Sequence, residues 1–157
     1  MRVAITGANG NIGRRLIRNL IDEGEKDIVA LVRSELAVQR ITDEGLDVDI
    51  QVVNYDDANG IRSAVGQCDL VFHLVGIIKE SEANPFHLAH EAASQALCEA
   101  ELGVEQIINL GIIGTSLSSS NACLQSRANA EAILKAGSPC VKSLRVAMVL
   151  GEGDYTS

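Results

Sequence analysis

Short apolar runs alternate along this chain with longer stretches in which apolar residues recur every three or four positions. Val3-Ala4-Ile5 is the first run. A glycine-rich turn follows, and then Ile12, Leu16, Ile17, Leu20 and Ile21, spaced to line one face of a helix that Gly24 can end. Ile28 to Val32 predicts a second strand, Ser34 to Glu44 a polar helix, and Val48 to Val53 a third strand. Asp57 suits the cap of a short helix carrying Ile61, Ala64 and Val65, ahead of a fourth strand at Leu70 to Leu74. Phe86, Ala89, Ala93, Ala96, Leu97 and Ala100 predict one long helix, which Gly103 stops before a fifth strand at Gln106 to Leu110. Gly111 to Ser120 reads as a loop, Ala122 to Ala136 as a second long helix ended by Gly137 and Pro139, and Val141 to Leu150 as a sixth strand.

Strands and helices in strict alternation, joined by right-handed crossovers, place helices on both faces of a parallel sheet. The fold expected is α/β: a doubly wound Rossmann fold with a parallel sheet of about six strands in the order 3-2-1-4-5-6. No repeat, charge block or low-complexity linker marks a second domain, so residues 1–157 are expected to form one unit. With 46% hydrophobic but only 3% aromatic residues, the core has to be aliphatic, and stacking on nucleic-acid bases is poorly served. Thirteen basic against twenty-one acidic residues give a net charge of −8, the wrong sign for holding a phosphate backbone nonspecifically. No run approaches the roughly 18 to 20 apolar residues of a membrane span. Four cysteines without C-x-x-C spacing, and no basic and apolar leader before Val3, predict reduced thiols in a cytoplasmic protein.

An anionic ligand would therefore need a local positive site, and the turn after the first strand offers one. Thr6 is followed by Gly7, Ala8, Asn9, Gly10, Asn11, Ile12 and Gly13, between a predicted strand and a predicted helix. Glycines at these positions permit a tight turn, close approach of backbone N–H groups to a pyrophosphate, and close packing of the helix on the sheet. The first helical turn adds unpaired N–H donors and the positive end of its dipole. The plainer alternative is an ordinary strand-to-helix turn that needs glycine for positive φ. Twenty residues past Gly13, where a site for NAD commonly carries an acid, stands Arg33. Its guanidinium could bind a 2′-phosphate, with Arg14 and Arg15 assisting, which favours NADP over NAD. The alternative for Arg33 is a solvated strand end.

The G-x-x-G-x-x-G spacing resembles the short-chain dehydrogenase/reductase superfamily in its extended or atypical branch. Ala30-Leu31-Val32-Arg33-Ser34, Cys68 to Gly76, Gly103 to Ile108 and Leu144 to Asp154 continue the resemblance over the whole chain. His73 to Gly76 and Phe86-x-x-x-His90 look most like the atypical group that includes NmrA-like regulators and the nucleotide-binding accessory subunit of respiratory complex I. The resemblance implies that Asn54 and Tyr55 contact adenine, with Asn54 in the place of the usual Asp. It also implies that Leu74, Val75 and Gly76 pass close to the ribose and nicotinamide; a plain strand end is the alternative.

The family's Tyr acid/base and the Lys four residues later are not found here. Their positions fall on Cys123 and Arg127, and neither Tyr55 nor Tyr155 lies in that helix. A thiol one helical turn from Arg127 could be activated by a lowered pKa, but the simpler expectation is an inert, half-buried Cys123. Arg127 could hold ribose or phosphate without catalysing anything. His87 and His90, three residues apart, are expected on one helix face, more simply as structural or exposed histidines than as metal ligands. Ser118-Ser119-Ser120-Asn121 reads as a loop and N-cap, with a phosphate site as the alternative.

The functional expectation is a cofactor domain of the oxidoreductase or epimerase/dehydratase type, without its Tyr/Lys pair. Its ligands would be a dinucleotide and an unidentified small-molecule substrate, and its assembly a homo-oligomer or larger complex. A non-catalytic dinucleotide-binding regulatory or assembly module is the alternative. Gly151-Glu152-Gly153-Asp154 is where the extended family begins its substrate lobe, which is expected to be absent or truncated.

Overall fold

A computed structural model describes residues 1–147 and Val149. The elements are β1 (Val3–Thr6), α1 (Asn11–Asp22), β2 (Ile28–Val32), α2 (Glu35–Thr42), β3 (Asp49–Val52), α3 (Ala58–Val65), β4 (Leu70–His73), α4 (Ala93–Glu99), β5 (Gln106–Ile112), α5 (Ala122–Gly137) and β6 (Val141–Val146). All six strands are parallel, in the order β3-β2-β1-β4-β5-β6. This is the doubly wound Rossmann order expected from the alternation.

Helices cover both faces, which explains why β1 and β2 are continuous apolar runs rather than alternating ones. Successive side chains point to opposite faces. Val3, Ile5, Ala30 and Val32 therefore join Ile17 of α1 and Ile41 of α2 in one core. Ala4, Val29 and Leu31 join Ile61, Val65, Ala96, Leu97 and Leu134 of α3, α4 and α5 in the other. The edge strand β6 has no buried residue, and Leu144 is exposed.

Four expectations are corrected. The helix predicted from Phe86 to Ala100 is not uniform, because a π-helical turn at Leu88–Ala92 precedes α4. That wider turn takes His87 and His90 off a common face: His90 is buried and His87 exposed. The reversal after α4 is made by Glu101 at φ 48°, not by Gly103. Finally, β5 runs to Ile112, so Gly111 is in the sheet rather than in a loop; pairing of Gly111 with Arg145 and Ile112 with Val146 draws the chain on. β6 stops at Val146, with Ala147 and Val149 outside it, short of the predicted end; Met148, Leu150, Gly151-Glu152-Gly153-Asp154 and Tyr155 lie outside the described residues.

Candidate functional site

β1 pairs with β2 on one side and β4 on the other, so the connections leaving β1 and β4 diverge to opposite faces and open a crevice at their C-terminal ends. The glycine loop lies there. Gly7 has φ +70°, and a Cβ on it would stand 3.0 Å from the Leu74 backbone, so the loop rests directly on the chain leaving β4. A Cβ on Gly13 would come within 2.6 Å of the carbonyl oxygens of Gly7 and Ala8, and only glycine lets α1 start so close beneath the loop.

The start of α1 differs from those of α2, α3 and α5. Ser34 caps α2, Asp57 caps α3 and Asn121 caps α5, each accepting a backbone N–H with its side chain. Asn121 is thus the N-cap expected at the end of the serine-rich segment. Gly10 caps α1 with no side-chain hydrogen bond, and no acidic residue occupies the first turn. The N-terminal donors and dipole of a twelve-residue helix are thus left to an outside anion. These residues fit the pyrophosphate of a dinucleotide.

Tyr55 supports the loop from below. Its buried hydroxyl donates to Leu31 O at 2.6 Å and accepts from Gly7 N at 2.7 Å. Burial pushes the phenol up to about 12, against the smaller opposing pull of the Gly7 bond and Arg33. The hydroxyl expected near adenine is thereby engaged with the backbone, while Asn54 beside it is exposed. Arg33 is exposed at the end of β2, with its guanidinium carbon 6.0 Å from the centre of the Tyr55 ring. Arg33, Asn54 and Tyr55 therefore border the same end of the crevice as the glycine loop. Arg14 and Arg15 are held against the glycine loop itself. Arg14 donates to Asn9 O and pairs with Glu44, which also pairs with Arg18, and Arg15 Nε donates to Asn11 Oδ1 at 3.0 Å. With Asn11 and Glu44, these arginines line a cleft of about 460 Å³ beside α1.

The other end of the crevice is packed with the protein's own side chains. Leu74, Val75 and Gly76 leave β4, and Leu74 N donates to Thr6 O at 3.2 Å. A Cβ on Gly76 would overlap the Arg127 guanidinium, which donates through Nη1 to Leu110 O at 3.3 Å. Arg127 Nε is buried without a hydrogen-bond partner. One turn earlier, Cys123 directs its thiol to Ile77 O at 3.6 Å. Burial raises the Cys123 pKa despite Arg127 nearby, which does not favour the thiolate.

Two buried histidines complete this end. His73 Nδ1 meets Thr6 Oγ1 at 2.9 Å. His90 Nε2 accepts from Ile77 N at 3.1 Å, and its Nδ1 lies 3.2 Å from Ser126 Oγ, which donates to Glu91 at 2.8 Å. Burial, reinforced by Arg127, lowers both histidines to about 4 and keeps them neutral. With Asn109 and Arg127 they line a cavity of about 10 Å³, room for roughly one water. The Phe86 to His90 signal was present in the sequence, but only the π turn shows that His90 points inward. Among the described residues no three His, Cys, Asp or Glu side chains converge as metal ligands. No described helix is long and apolar enough to cross a membrane.

The sequence profile of a family described as NAD(P)H-binding matches residues 7–143, from the glycine loop into β6. The chain belongs to this family. Its dinucleotide ligand is therefore NAD or NADP. Ceramide reductase of Caulobacter vibrioides is 26% identical over 156 residues, covering 97% of this chain and 47% of that protein. NADH dehydrogenase (ubiquinone) 1 alpha subcomplex subunit 9, mitochondrial, of Arabidopsis thaliana is 26% identical over 155 residues, covering 96% of this chain and 39% of its own length. This relative agrees with the resemblance to the atypical short-chain dehydrogenase/reductase branch. The chain spans less than half the length of either curated relative.

Among solved structures, triphenylmethane reductase of Citrobacter sp. complexed with NADP(H) superposes with a TM-score of 0.72 at 20% identity, over 93% of this chain and 49% of that one. UDP-glucuronic acid 4-epimerase from Bacillus cereus, in complex with NAD, superposes with a TM-score of 0.75 at 17% identity, over 96% of this chain and 58% of that one. At these identities the likeness is one of fold.

Proposed function

We propose that this NAD(P)H-binding chain is the cofactor domain of an oxidoreductase or epimerase of the extended or atypical short-chain type, and that it prefers NADP. The observation that carries the reading is the start of α1, uncapped beneath a glycine loop that Tyr55 holds in shape. In it Gly7, Ala8, Asn9, Gly10, Asn11, Ile12 and Gly13 hold the pyrophosphate by backbone donors. Arg33 takes the 2′-phosphate, Asn54 and the ring of Tyr55 border the adenine, and Leu74, Val75 and Gly76 run beside the nicotinamide ribose. When bound, the nicotinamide supplies hydride transfer. Residues 1–157 belong to this one binding unit, and any substrate, larger assembly or cytoplasmic location is part of the same proposal.

A second reading is favoured by one specific arrangement: a non-catalytic dinucleotide-binding regulatory or assembly module. Cys123 and Arg127 stand where the branch has its Tyr and Lys, the thiol is directed at Ile77 O, and Arg127 packs over Gly76. Neither group is set up to donate and recover a proton from an alcohol or carbonyl. Titration calorimetry with NADPH and NADH tests the common part: saturable binding of NADPH, tighter than NADH, is expected, and no binding of either overturns both readings. Hydride transfer with a panel of carbonyl compounds and nucleotide sugars separates them, since turnover sinks the non-catalytic reading.

A further inference from the structure

The loop after β4 reaches the residue that follows β2. Arg33 Nη1 donates to Asn84 Oδ1 at 3.1 Å. β2 and β4 lie on opposite sides of β1, so this bond joins the two walls of the crevice above the strand that carries the glycine loop. We propose that Asn84 is a specificity-determining residue of the nucleotide site, holding Arg33 in the orientation that receives a 2′-phosphate and so setting the preference for NADP over NAD. This rests on the NADP-binding reading above and assigns to it a residue from a different loop.

Three features support the role. Arg33 is held on two sides, by the Tyr55 ring 6.0 Å from its guanidinium carbon and by the Asn84 amide at its edge. An exposed arginine otherwise samples many rotamers, and ordering it before the ligand arrives removes that cost from binding. Asn84 is itself fixed. Its N–H donates to Ser81 O at 3.0 Å, Ser81 N donates back to Asn84 O at 3.2 Å, and Ser81 Oγ lies 3.2 Å from Asn84 N. The turn is tied further by Phe86 N, which donates to Glu80 at 3.2 Å.

The chemistry of the pair then selects for phosphate. A guanidinium has five N–H donors in a planar fork, and one bond to Asn84 leaves the others for a phosphate oxygen pair. An amide oxygen orients the cation without neutralising it, whereas a carboxylate at residue 84 would cancel its charge and repel the phosphate. The amide nitrogen of Asn84 adds two donors of its own. NAD, which presents only a 2′-hydroxyl, gains little from such a pair.

The test is the ratio of NADPH to NADH dissociation constants, measured by calorimetry on the full chain as wild type, Asn84→Ala, Asn84→Asp, Arg33→Ala and the Arg33→Ala/Asn84→Ala double variant. Asn84→Asp is expected to weaken NADPH by about 30-fold or more and Asn84→Ala by about 3- to 10-fold, with NADH changing less than about twofold. In the Arg33→Ala background, Asn84→Ala should leave the ratio unchanged, the signature of two residues acting as one unit. Equal loss of both nucleotides in Asn84→Ala would show a turn that matters only for folding. An unchanged ratio in Asn84→Asp, or full additivity with Arg33→Ala, would likewise overturn the proposal while the binding reading stands. A wild-type chain that binds neither nucleotide overturns the binding reading and this inference with it.

Discussion

At the β1–β2–β3 end of the crevice, backbone donors face outward and side chains work from behind them; at the β4–β5 end, side chains already fill the space between strands and α5. Gly10 leaves the start of α1 uncapped, and Tyr55 spends its hydroxyl on Gly7 N and Leu31 O. Arg127, by contrast, lies over Gly76, His73 and His90 are neutral and buried, and the remaining cavity has room for about one water. The difference teaches that binding a dinucleotide and reacting with it make separate demands on this fold. The first asks for unsatisfied backbone groups, which cost stability in the free protein, and the second for an acid/base group with access to substrate.

The comparison is broken most severely at Gly13. A methyl group there has backbone oxygens 2.6 Å away on the loop, so Gly13→Ala must push α1 and the loop apart. We expect a loss of dinucleotide affinity of about 100-fold together with about 1–3 kcal/mol of stability, read by calorimetry and by urea unfolding. Retained affinity would mean that the donors of α1 do not hold the pyrophosphate. Next is Tyr55→Phe, which removes the partner of Gly7 N and leaves Leu31 O with the longer bond from Ala8 N at 3.3 Å, while keeping the ring. The expected cost is about 1–3 kcal/mol in unfolding free energy, with a weaker, roughly tenfold effect on binding as the loop loosens.

The packed end is probed by pH. His73 and His90 take up protons near 6.5 when the chain is unfolded and only near 4 when it is folded. The unfolded state therefore binds more protons between these values, and acid favours it. Their contribution is complete above pH 6.5, declines as the pH falls to about 4 and levels off below. His90→Gln should destabilise the protein at pH 7.5 by more than it does at pH 5, because the wild type alone must keep a proton off residue 90. Parallel melting curves for the two proteins across this range would show that His90 is not held neutral by its burial. The smallest effect is expected from Asn121→Ala, which removes the cap of α5 at a cost of about 1 kcal/mol and leaves dinucleotide affinity untouched. A change in affinity there would mean that the two ends of the crevice are coupled.

Much of this was legible in the sequence, and particular residues show why. Val29 and Leu31 are buried on the face of β2 opposite Ala30 and Val32, so an unbroken apolar run reported a strand covered on both sides. Asp57 and Asn121 announced their helices because a cap acts on its own first turn. His90 misled because its position was read at a helical spacing that the π turn changes. Tyr55 was placed in the right neighbourhood, but its engagement with Gly7 depends on a residue forty-eight positions away.

The amino-acid sequence by itself determined the strand order, the glycine loop and the family, because these rest on local periodicity, on turn geometry and on residues close together in the chain. Only the tertiary structure decided what the side chains on either side of that loop do. Tyr55 holds Gly7, Asn84 reaches Arg33, and Arg127 lies against Gly76 because parallel strands with crossover helices bring distant segments together at the C-terminal ends of the strands. Contacts between such segments depend on how the layers pack, a property that no stretch of the chain carries alone.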